Sequence, residues 1–440
     1  MSRPDGNGNT AHVMLKAKQD PAGMHAGTHY NGLVVAGFGA IGQGLFAIGD
    51  SCLRSFADIL VIDRELTRAE NLLPAGARFI RGDIRDNDWL MDQLNTLASP
   101  VLFVNLCSGV DNVMIRRLLG KAGIAYLDSC CCAPEGSTEA RFSRMMPYTM
   151  TKIASSRPQW LCWGINPGLV ELMTRKIIAG FDPGEGNFEI TIFEHDQLEG
   201  ENGVIVGWCP EALIEEIMRS PTLECSAGQL LEKTGLGAGK VLACWGGQPV
   251  ASRVVAHEDI WNIGRLPGVL KARFIYGLHP GVMRILGQDI SQARILLKTP
   301  GRGEPVFGAE RLAVSVKSGV SGRERVLIWQ ENHHDIWQRH GINAVQYQTG
   351  KALLLALRLL QLTSLGELAG QYCAADLPLT GQDWGAIDLF MHDLAINWRD
   401  AKDLDLRLCP RAESGGGPTQ LPCPCGAATF TKEAAPCPCC

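Results

Sequence analysis

A glycine-rich segment near the N-terminal end limits the possible folds more than any other part of the sequence. Gly37, Gly39 and Gly42 form a G-x-G-x-x-G pattern directly after the apolar run 33–36 and before a helix-like segment. In parallel α/β sheets the first glycine of this pattern permits a tight turn, the second lets a pyrophosphate reach the backbone, and the third lets the helix lie close to the sheet. The N-terminus of that helix then faces the anion. The segment therefore predicts a strand, a dinucleotide-binding turn and a helix.

An acidic residue at the end of the next β-like run supports the same interpretation. Residues 58–62 are β-like, and Asp63 follows at the distance where such folds place a carboxylate that binds both ribose hydroxyls. A carboxylate repels a 2′-phosphate, so the sequence predicts NAD rather than NADP, although the neighbouring Arg64 could admit a 2′-phosphate. The predicted cofactor-binding residues are Gly37, Gly39, Ala40, Ile41, Gly42, Asp63, Asn105 and Asp128.

Strand-like and helix-like segments alternate after Asp63, which is typical of a Rossmann-type, doubly wound parallel sheet with helices on both faces. The last predicted strand of this α/β half, 159–165, ends in a turn at 166–168. The other predicted elements are strands over 77–84, 101–106 and 124–129, and helices over 67–73, 87–97 and 110–123.

Longer β-like runs crowd together from Phe188 onward, which predicts a second, α+β domain for the substrate. The predicted strands include 188–196, 203–208, 249–263, 311–320 and 324–332. A buried helix predicted over 344–365 could return the chain to the first domain. The predicted ranges are a disordered segment 1–30, the NAD-binding domain 31–165, the α+β domain 166–343, C-terminal helices 344–408 that return to the first domain, and a Cys/Pro/Gly-rich tail 409–440.

The composition restricts the kinds of partner. The chain has 46% hydrophobic and 20% charged residues with a net charge of −5, and no local cluster of lysine and arginine compensates for that charge. These values are ordinary for a globular protein and give no basic surface for nucleic acid. The apolar stretches are shorter than the roughly 20 residues of a membrane span, and the first 30 residues contain no signal-peptide run. We therefore expect a cytoplasmic protein with a small-molecule partner.

The residues most suited to chemistry lie in the second half of the chain. Each alone has an ordinary structural role, as a glutamate on a solvated helix face, a core tryptophan or a buried histidine. Together they predict a cavity for a cation, because an aromatic face attracts an ammonium group by roughly 0.5–2 kcal/mol and carboxylates add ion pairing. A polyamine fits this set better than an amino acid does. The candidates are Asn166, Glu194, Asp196, Trp208, Glu211, Glu215, Glu216, His257 and Glu258.

A series of short motifs in order along residues 31–365 gives the chain its resemblance to a known family. They are GFGAIGQG, VNL…AYLDS, WGINPGLV, FEHD, VGWCPEALIEE, AHEDIW, FIYGLHPG and GINAVQYQTG. The chain resembles bacterial homospermidine synthases, within the wider saccharopine dehydrogenase-like group. This resemblance implies a homodimer and an α+β domain that carries both substrate binding and dimerisation.

The resemblance also implies roles for individual residues. In that family a tryptophan holds the substrate ammonium by cation–π contact and a glutamate eight residues later binds an amine, the separation of Trp208 and Glu216. The family's N-P-G asparagine matches Asn166, its E-x-D glutamate matches Glu194, and its H-x-E histidine matches His257 more loosely, because a glutamate follows His257 immediately. These five residues are the predicted catalytic set, and no metal is predicted among the cofactors.

The implied reaction joins two diamines such as putrescine with loss of ammonia. NAD takes a hydride from a diamine carbon, ammonia leaves, an imine forms with the second diamine, and the same NADH returns the hydride. The cofactor is therefore recycled. The chain departs from the family after the Y-x-D strand, where Cys130, Cys131 and Cys132 replace an acidic residue and Glu135 follows downstream. This departure implies an altered outer amine site.

Two other functions fit the sequence. A saccharopine-, opine- or carboxyspermidine-type dehydrogenase with net reductive amination would bind substrate carboxylates, for which Arg175, Arg253 and Arg273 are possible partners.

A non-catalytic nucleotide- or metal-binding regulatory protein is suggested by the tail, in which several of the sixteen cysteines lie close together. The tail pairs are separated by one residue, whereas zinc sites usually separate paired cysteines by two to four. We expect most cysteines to be reduced thiols, and for the tail a disordered segment, a soft-metal site and disulfide chemistry stay open. The tail cysteines are Cys423, Cys425, Cys437, Cys439 and Cys440.

Overall fold

The computed structural model describes residues 29–49, 51–65, 72–132, 148–201, 203–233, 239–245, 248–300, 303–401 and 408–410. Glu135 and nearly all of the predicted N-terminal segment and cysteine-rich tail lie outside the described residues. The helix predicted over 67–73 also lies mainly outside them.

The first half of the chain forms a parallel sheet with helices on both faces, which confirms the predicted Rossmann-type α/β fold. Two of its central strands, Gly32–Ala36 and Val101–Asn105, are buried along their whole length because helices cover both faces. In spatial order the seven strands are Gly370–Tyr372, Pro158–Trp160, Ala125–Asp128, Val101–Asn105, Gly32–Ala36, Asp58–Asp63 and Arg78–Arg81.

One edge of this sheet differs from the prediction. The strand expected over 159–165 is only Pro158–Trp160, because the chain leaves the sheet after Trp160 and Cys162 adopts a positive φ of 58°. The edge strand Gly370–Tyr372 pairs with it in parallel and comes from a segment some two hundred residues later. The predicted C-terminal range 344–408 also supplies Arg399–Asp400 to the second sheet, so it contributes to both sheets.

The second half of the chain forms a mixed sheet built around the long strand Phe188–Asp196, as predicted for an α+β domain. This strand is parallel to Val269–Leu278 and antiparallel to Ala309–Lys317. In spatial order the main path is Arg399–Asp400, Glu324–Asn332, Ala309–Lys317, Phe188–Asp196, Val269–Leu278, Gln248–Val255, Lys240–Trp245 and Leu408–Pro410. Thr222–Ser226 and Gln229–Lys233 attach beside Val269–Leu278, and Val306–Phe307, Glu199–Gly200 and Gly203–Val204 form a small third sheet.

Two strands predicted for this half were wrong in extent. Only Gly203–Val204 of the run 203–208 is a strand. The run 249–263 divides into the strand Gln248–Val255 and the helix Glu258–Gly264. The helix begins after His257 because acidic residues in its first turn complement the positive end of the helix dipole.

The helices connect these sheets, and no helix in the described part of the chain is long and apolar enough to cross a bilayer. The α-helices whose bounds fall within the described residues are Ala40–Ala47, Asn87–Leu94, Asn112–Lys121, Leu169–Ala179, Pro210–Ile214, Glu258–Gly264, Pro280–Ile285, Ile290–Leu296, His333–His340, Ala344–Leu362 and Gly381–Asp393. Short 3₁₀ turns cover Ser51–Ser55, Ser364–Glu367 and Ala374–Asp376, and a π-helical turn covers Glu215–Arg219.

The helix Ala344–Leu362 fixes the position of the helix that follows the glycine loop. The two helices touch through their backbones, since a Cβ on Gly44 would lie 2.5 Å from the carbonyl oxygen of Gln346. The Gln346 side chain donates a hydrogen bond to the carbonyl oxygen of Ala40 (3.2 Å). At the N-cap of the same long helix, Asn343 donates to the carbonyl oxygen of Gly207 (2.8 Å). One helix therefore holds both the glycine loop and the loop that carries Trp208.

Candidate functional site

Two adjoining cavities open where the carboxyl ends of the parallel strands face the second sheet. The smaller cavity, about 220 Å³, lies over the glycine loop, and the larger one, about 570 Å³, lies between that loop and the second sheet. Arg64 and the loop residues 106–109 line both of them. In open α/β sheets this end of the strands is where ligands bind.

Each of the three positions in the loop is a glycine for a different structural reason. Gly37 has a φ of 96°, and a Cβ there would lie 2.7 Å from the carbonyl carbon of Leu106. A Cβ on Gly42 would lie 2.3 Å from the carbonyl oxygen of Gly37, whereas one on Gly39 would meet nothing within 4 Å. The first and third glycines therefore keep the turn and helix close together, and the second leaves open space beside the backbone. This arrangement fits a dinucleotide pyrophosphate.

Asp63 lies at the end of its strand, directly beside this turn. Its carboxylate accepts hydrogen bonds from the backbone N–H groups of Phe38 (2.6 Å) and Glu65 (2.9 Å), and the residue lines the smaller cavity. Ala40 begins the helix of the motif, and Ile41 lines the larger cavity. The helix start and the Asp63 carboxylate thus face a common space, as binding of a pyrophosphate and a ribose requires.

Substitution of the second and third glycines should separate their roles. We expect Gly42→Ala to destabilise the fold, because overpacking against a backbone oxygen costs about 1–3 kcal/mol. The matched Gly39→Ala variant adds the same methyl group into open space, so its melting temperature should stay near that of the wild type while its affinity for NAD falls. Thermal unfolding and NAD titration of both variants measure this difference. Equal melting temperatures for the two variants would contradict the assignment.

Four of the predicted cofactor-binding residues do not line either cavity: Ala40 and Gly42, which lie in the helix of the glycine motif, and Asn105 and Asp128, which end two strands. The fully buried Asp128 carboxylate accepts hydrogen bonds from Cys162 N (2.7 Å), Tyr126 Oη (2.8 Å), Asn112 Nδ2 (3.0 Å) and the hydroxyl of Tyr148. Burial raises its pKa despite these donors. The Asp128 carboxylate therefore accepts four hydrogen bonds from within the protein.

Asn105 supports the cavity wall through hydrogen bonds on its buried side. Its Oδ1 accepts a hydrogen bond from Cys107 N (3.1 Å), and its Nδ2 donates to Tyr126 Oη (3.1 Å). Asn105 is only 2% exposed. It thereby fixes the loop 106–109, which lines both cavities.

The larger cavity brings together all five residues of the predicted catalytic set, although they come from separate elements. Asn166 lies in a turn after the first sheet, Glu194 in the central strand of the second sheet, and Trp208 in a loop. Glu216 lies in the π-helical turn, and His257 precedes the helix Glu258–Gly264. The lining includes Asn166, Glu194, Trp208, Glu216, His257 and Tyr276.

Glu194 and Trp208 each have a partner in the cavity wall. The Asn166 side-chain amide donates a hydrogen bond to the Glu194 carboxylate. The indole N–H of Trp208 donates to Tyr276 Oη (3.2 Å), which orients the ring. Burial, outweighing the Asn166 hydrogen bond, raises the pKa of Glu194 to about 8, and the neighbouring Asp196 carboxylate adds to the rise. Glu194 therefore titrates close to neutral pH.

His257 is surrounded by carboxylates and stacks on Phe274, with ring centroids 4.2 Å apart. Its Nδ1 lies 3.0 Å from Asp259 Oδ1, and its Nε2 lies 3.8 Å from Glu216 Oε1. Burial lowers the pKa of His257, but Asp259, Glu216 and Glu258 outweigh burial and raise that pKa to about 10. The imidazole is therefore held in its charged form at neutral pH.

Asp259 was not among the residues singled out from the sequence. It is fully buried behind His257 and belongs to an H-x-D spacing in which the acid lies two residues after the histidine. The emphasis on Glu258, which follows His257 directly, hid this pairing. Glu258 is also close, with its Oε2 4.0 Å from His257 Nδ1.

The arginines of the cavity are not those predicted for a carboxylate substrate. Exposed Arg64, Arg219 and Arg294 line the larger cavity, and Arg294 binds Glu211 through two nitrogens. The three predicted arginines lie away from the cavity wall: Arg175 donates to the Ala374 carbonyl (2.9 Å), Arg253 to the Ile217 carbonyl (3.5 Å) and Arg273 to the Thr191 hydroxyl (3.0 Å).

A buried group beside Glu194 has the side chains of a metal site, but both ring nitrogens of its histidine are already engaged in hydrogen bonds. Potential ligand atoms of Asp196, Glu310 and His333 all lie within 4.8 Å of one another. His333 Nδ1 accepts the backbone N–H of Ala344 (3.1 Å), so the ring proton belongs on Nε2, 3.0 Å from Asp196 Oδ1. A protonated Nε2 donates to a carboxylate and has no lone pair for a metal. Burial, with Glu194 and Asp196 adding, raises the pKa of Glu310 well above its usual range.

The parallel sheet, the glycine loop and the adjoining cavity give this chain the fold of NAD(P)-dependent dehydrogenases. More particularly, its structure is similar to a homospermidine synthase from Legionella pneumophila solved in complex with NAD, with a TM-score of 0.64 and 13% sequence identity over 84% of this chain and 91% of that one. It is also similar to the apo saccharopine dehydrogenase (L-Glu forming) from Saccharomyces cerevisiae, with a TM-score of 0.55 and 11% identity over 86% of this chain and 100% of that one. No protein-family model and no curated protein matches the chain. At these identities the similarity concerns the fold.

Proposed function

We propose that this protein is an NAD-dependent aminoalkyl transferase of the homospermidine synthase type, which joins two diamines with loss of ammonia. The observation that carries the proposal is the convergence of Asn166, Glu194, Trp208, Glu216 and His257 on one cavity beside the glycine loop. The solved homospermidine synthase with the same fold supports it. Among the diamines, putrescine is the substrate we propose.

The cavity suits a flexible cation. Trp208 offers an aromatic face, and the buried Glu194 and Glu216 offer carboxyl groups at its deep end. Arg219 and Arg294, which would repel an ammonium group, are exposed at the rim. A cation held against an aromatic ring with water excluded gains about 2 kcal/mol or more, so the deep end is where an ammonium group should bind.

The glycine loop, the start of the helix Ala40–Ala47 and Asp63 would hold NAD, with the Asp63 carboxylate accepting the ribose hydroxyls. When bound there, NAD supplies the hydride acceptor and, after reduction, the hydride donor. The chain's own groups orient the substrate carbon and manage protons.

In this proposal Glu194 transfers the protons, because its pKa suits that role and the pKa of His257 does not. A diamine binds mainly as a dication, and the amine that is oxidised must lose a proton before its carbon can release a hydride. His257, with a pKa near 10, already carries its proton at neutral pH and cannot accept another. Glu194, with a pKa near 8, is poised between its two forms, which suits a general acid–base group. His257 Nε2 lies 3.8 Å from Glu216 Oε1, and Glu216 would face the second ammonium group.

A saccharopine-type dehydrogenase with net reductive amination is the second candidate. Its specific support is the presence of Arg64, Arg219 and Arg294 in the cavity lining, since such substrates carry carboxylates that arginine binds well. The solved saccharopine dehydrogenase with the same fold is consistent with this alternative.

Redox balance separates the two candidates. With putrescine and substoichiometric NAD, we expect product to accumulate over many turnovers without comparable net NADH. Trp208→Leu should weaken catalysis by about 0.5–2 kcal/mol, because leucine keeps apolar bulk but lacks the π face. Trp384→Leu, at a half-buried tryptophan beside Arg175, is the matched control and should retain wild-type turnover. Stoichiometric consumption of NADH with a carboxylate-bearing substrate, and no product from putrescine, would favour the second candidate.

A homodimer and a cytoplasmic location complete the proposal. The homodimer is supported by the family resemblance.

A further inference from the structure

The wall of the larger cavity contains two thiols in direct contact. The chain turns at Cys130, Cys131 and Cys132 after the strand Ala125–Asp128, and Cys130 Sγ lies 3.3 Å from Cys132 Sγ. Both of these residues are partly exposed and line the cavity. Cys131 between them also lines the cavity, but it is only 2% exposed and belongs to a hydrophobic core cluster of the first sheet. Two of the three residues are therefore partly exposed to the substrate space, and the third is buried.

The backbone of this turn is fixed from both sides by one side chain. Asn112 Nδ2 donates to the carbonyl oxygen of Cys130 (3.1 Å), and Asn112 Oδ1 accepts from Cys132 N (3.2 Å). The same Nδ2 also donates to the buried Asp128 carboxylate (3.0 Å), which anchors the amide. The proximity of the two sulfur atoms is thus built into the turn.

A third hydrogen bond connects the turn to the candidate catalytic groups. Cys131 N donates to Glu258 Oε1 (3.0 Å), and Glu258 also faces His257. A movement of the turn therefore acts on the carboxylate cluster that keeps His257 charged.

We propose that Cys130 and Cys132 form a dithiol–disulfide modification site in the wall of the substrate cavity, oxidised by exchange with a small-molecule disulfide. One cysteine thiolate attacks a sulfur of the small disulfide, releases one thiol and leaves a mixed disulfide on the chain. The second cysteine thiolate attacks the chain sulfur of that mixed disulfide and releases the second thiol. The two cysteines lose two electrons and two protons, and the small disulfide is reduced to two thiols.

Formation of the disulfide bond between Cys130 and Cys132 would displace the turn that carries them. A disulfide requires a sulfur–sulfur distance of about 2.05 Å, so the sulfur atoms must approach by more than 1 Å from their contact distance. The turn then shifts against Asn112 and Glu258, and the cavity wall loses two polar thiols. On the proposed function, the oxidised protein turns over its diamine severalfold more slowly.

A soft-metal site is less consistent with the same pair. Among the described residues, no third His, Cys, Asp or Glu joins these two thiols in a group close enough to hold an ion. Two sulfur ligands alone leave a tetrahedral metal half coordinated.

The experiment treats the purified full-length chain with oxidised glutathione, blocks the remaining thiols and maps the peptides by mass spectrometry. We expect a peptide containing Cys130 and Cys132 that is lighter by two hydrogen atoms and carries no blocking group on either, with recovery after reduction by a dithiol. Cys130→Ser and Cys132→Ser should each prevent the cross-link. Cys131→Ala and Cys209→Ser, the latter in the same cavity wall, should retain it.

The results of this experiment test the modification site independently of the proposed function. A glutathione adduct that persists on either cysteine, or a cross-link that survives in Cys132→Ser, would overturn the modification site whatever the protein catalyses. A cross-link that forms in the wild type and in Cys209→Ser supports the site even when no diamine is turned over, in which case only the proposed function fails. If diamine turnover is found, its loss on oxidation should be absent in Cys130→Ser and Cys132→Ser.

Discussion

Asp259→Asn should remove most of the proposed activity at neutral pH and lower the pKa of His257 from its value near 10. Asp259 is the nearest of the three carboxylates around the ring, with Asp259 Oδ1 3.0 Å from His257 Nδ1. Without its charge, burial opposes fewer carboxylates, so the pKa of the His257 imidazole should fall and a larger share of the rings should be neutral at pH 7. Misplacing a group in the wall of a reaction site costs about 10²-fold in rate. Turnover at pH 7 and an NMR titration of the His257 ring measure the two effects.

The same variant should alter how stability depends on pH. The folded-state pKa of His257, about 10, lies above its ordinary value of 6.5. The stabilisation from this group is therefore complete below about pH 6.5 and is lost as the pH rises through about 10. In Asp259→Asn this contribution shrinks, so the difference in unfolding free energy between wild type and variant should decrease over that interval.

A control separates this effect from a general loss of charge. Asp388, which is 52% exposed and pairs with Lys176, lies on a surface helix. Asp388→Asn makes the same chemical change and should leave both the His257 titration and turnover at wild-type values. A His257 ring that still titrates near pH 10 in Asp259→Asn would show that its charge does not depend on Asp259.

The parts of the fold that follow from local pattern could be predicted from the sequence. The glycine loop was recognisable because turn, anion approach and helix packing each require a glycine at a fixed spacing. The strand Phe188–Asp196 was predicted with its observed bounds. The edge strand Gly370–Tyr372 was missed, because its three residues pair with Pro158–Trp160 across a long sequence separation and have no period of their own.

In the candidate site, too, local motifs could be predicted from the sequence, whereas contacts between residues distant in the sequence could not. Its five residues were predicted from motif resemblance, and the structure brings them to one cavity. Asp128 is among the predicted cofactor-binding residues, yet in the structure its carboxylate accepts hydrogen bonds from Tyr148 and Asn112. Sequence gives no sign of which side chains will cover a strand end. The pairing of Asp259 with His257 was readable in principle, since an acid two residues after the histidine is a local feature.

The role of the long helix could not be predicted for a different reason. Its apolar composition indicated only that it is buried. The long helix positions the helix that follows the glycine loop through a close backbone contact between Gly350 and Gly44. A Cβ on Gly350 would lie 3.0 Å from the Gly44 carbonyl group. A single glycine in each helix carries no signal of a close crossing until the two are seen together.

Glu194→Gln should abolish the proton release that we expect when a diamine binds. In the ligand-free protein the pKa of Glu194 is raised to about 8, chiefly by burial, so the group is mostly protonated at pH 7. An ammonium group bound beside it favours the carboxylate and lowers this pKa, so binding at pH 7 should release up to one proton. Diamine affinity should accordingly rise with pH and level off above about pH 8. Titration calorimetry in buffers of different ionisation enthalpy measures the number of protons released.

Glutamine has nearly the shape of glutamate but cannot ionise, so Glu194→Gln isolates the proton from the geometry. Its diamine binding should release no proton at this position and lose the rise with pH below 8. Its turnover should fall by about 10²–10⁴-fold, because the amine that is oxidised has lost its proton acceptor. Glu211→Gln makes the same change at an exposed carboxylate of the same cavity that pairs with Arg294, and it should keep both proton release and turnover. Undiminished proton release in Glu194→Gln would assign the titrating group elsewhere in the cavity, and Glu194 would then serve only to hold the ammonium group through the carboxylate that Asn166 orients.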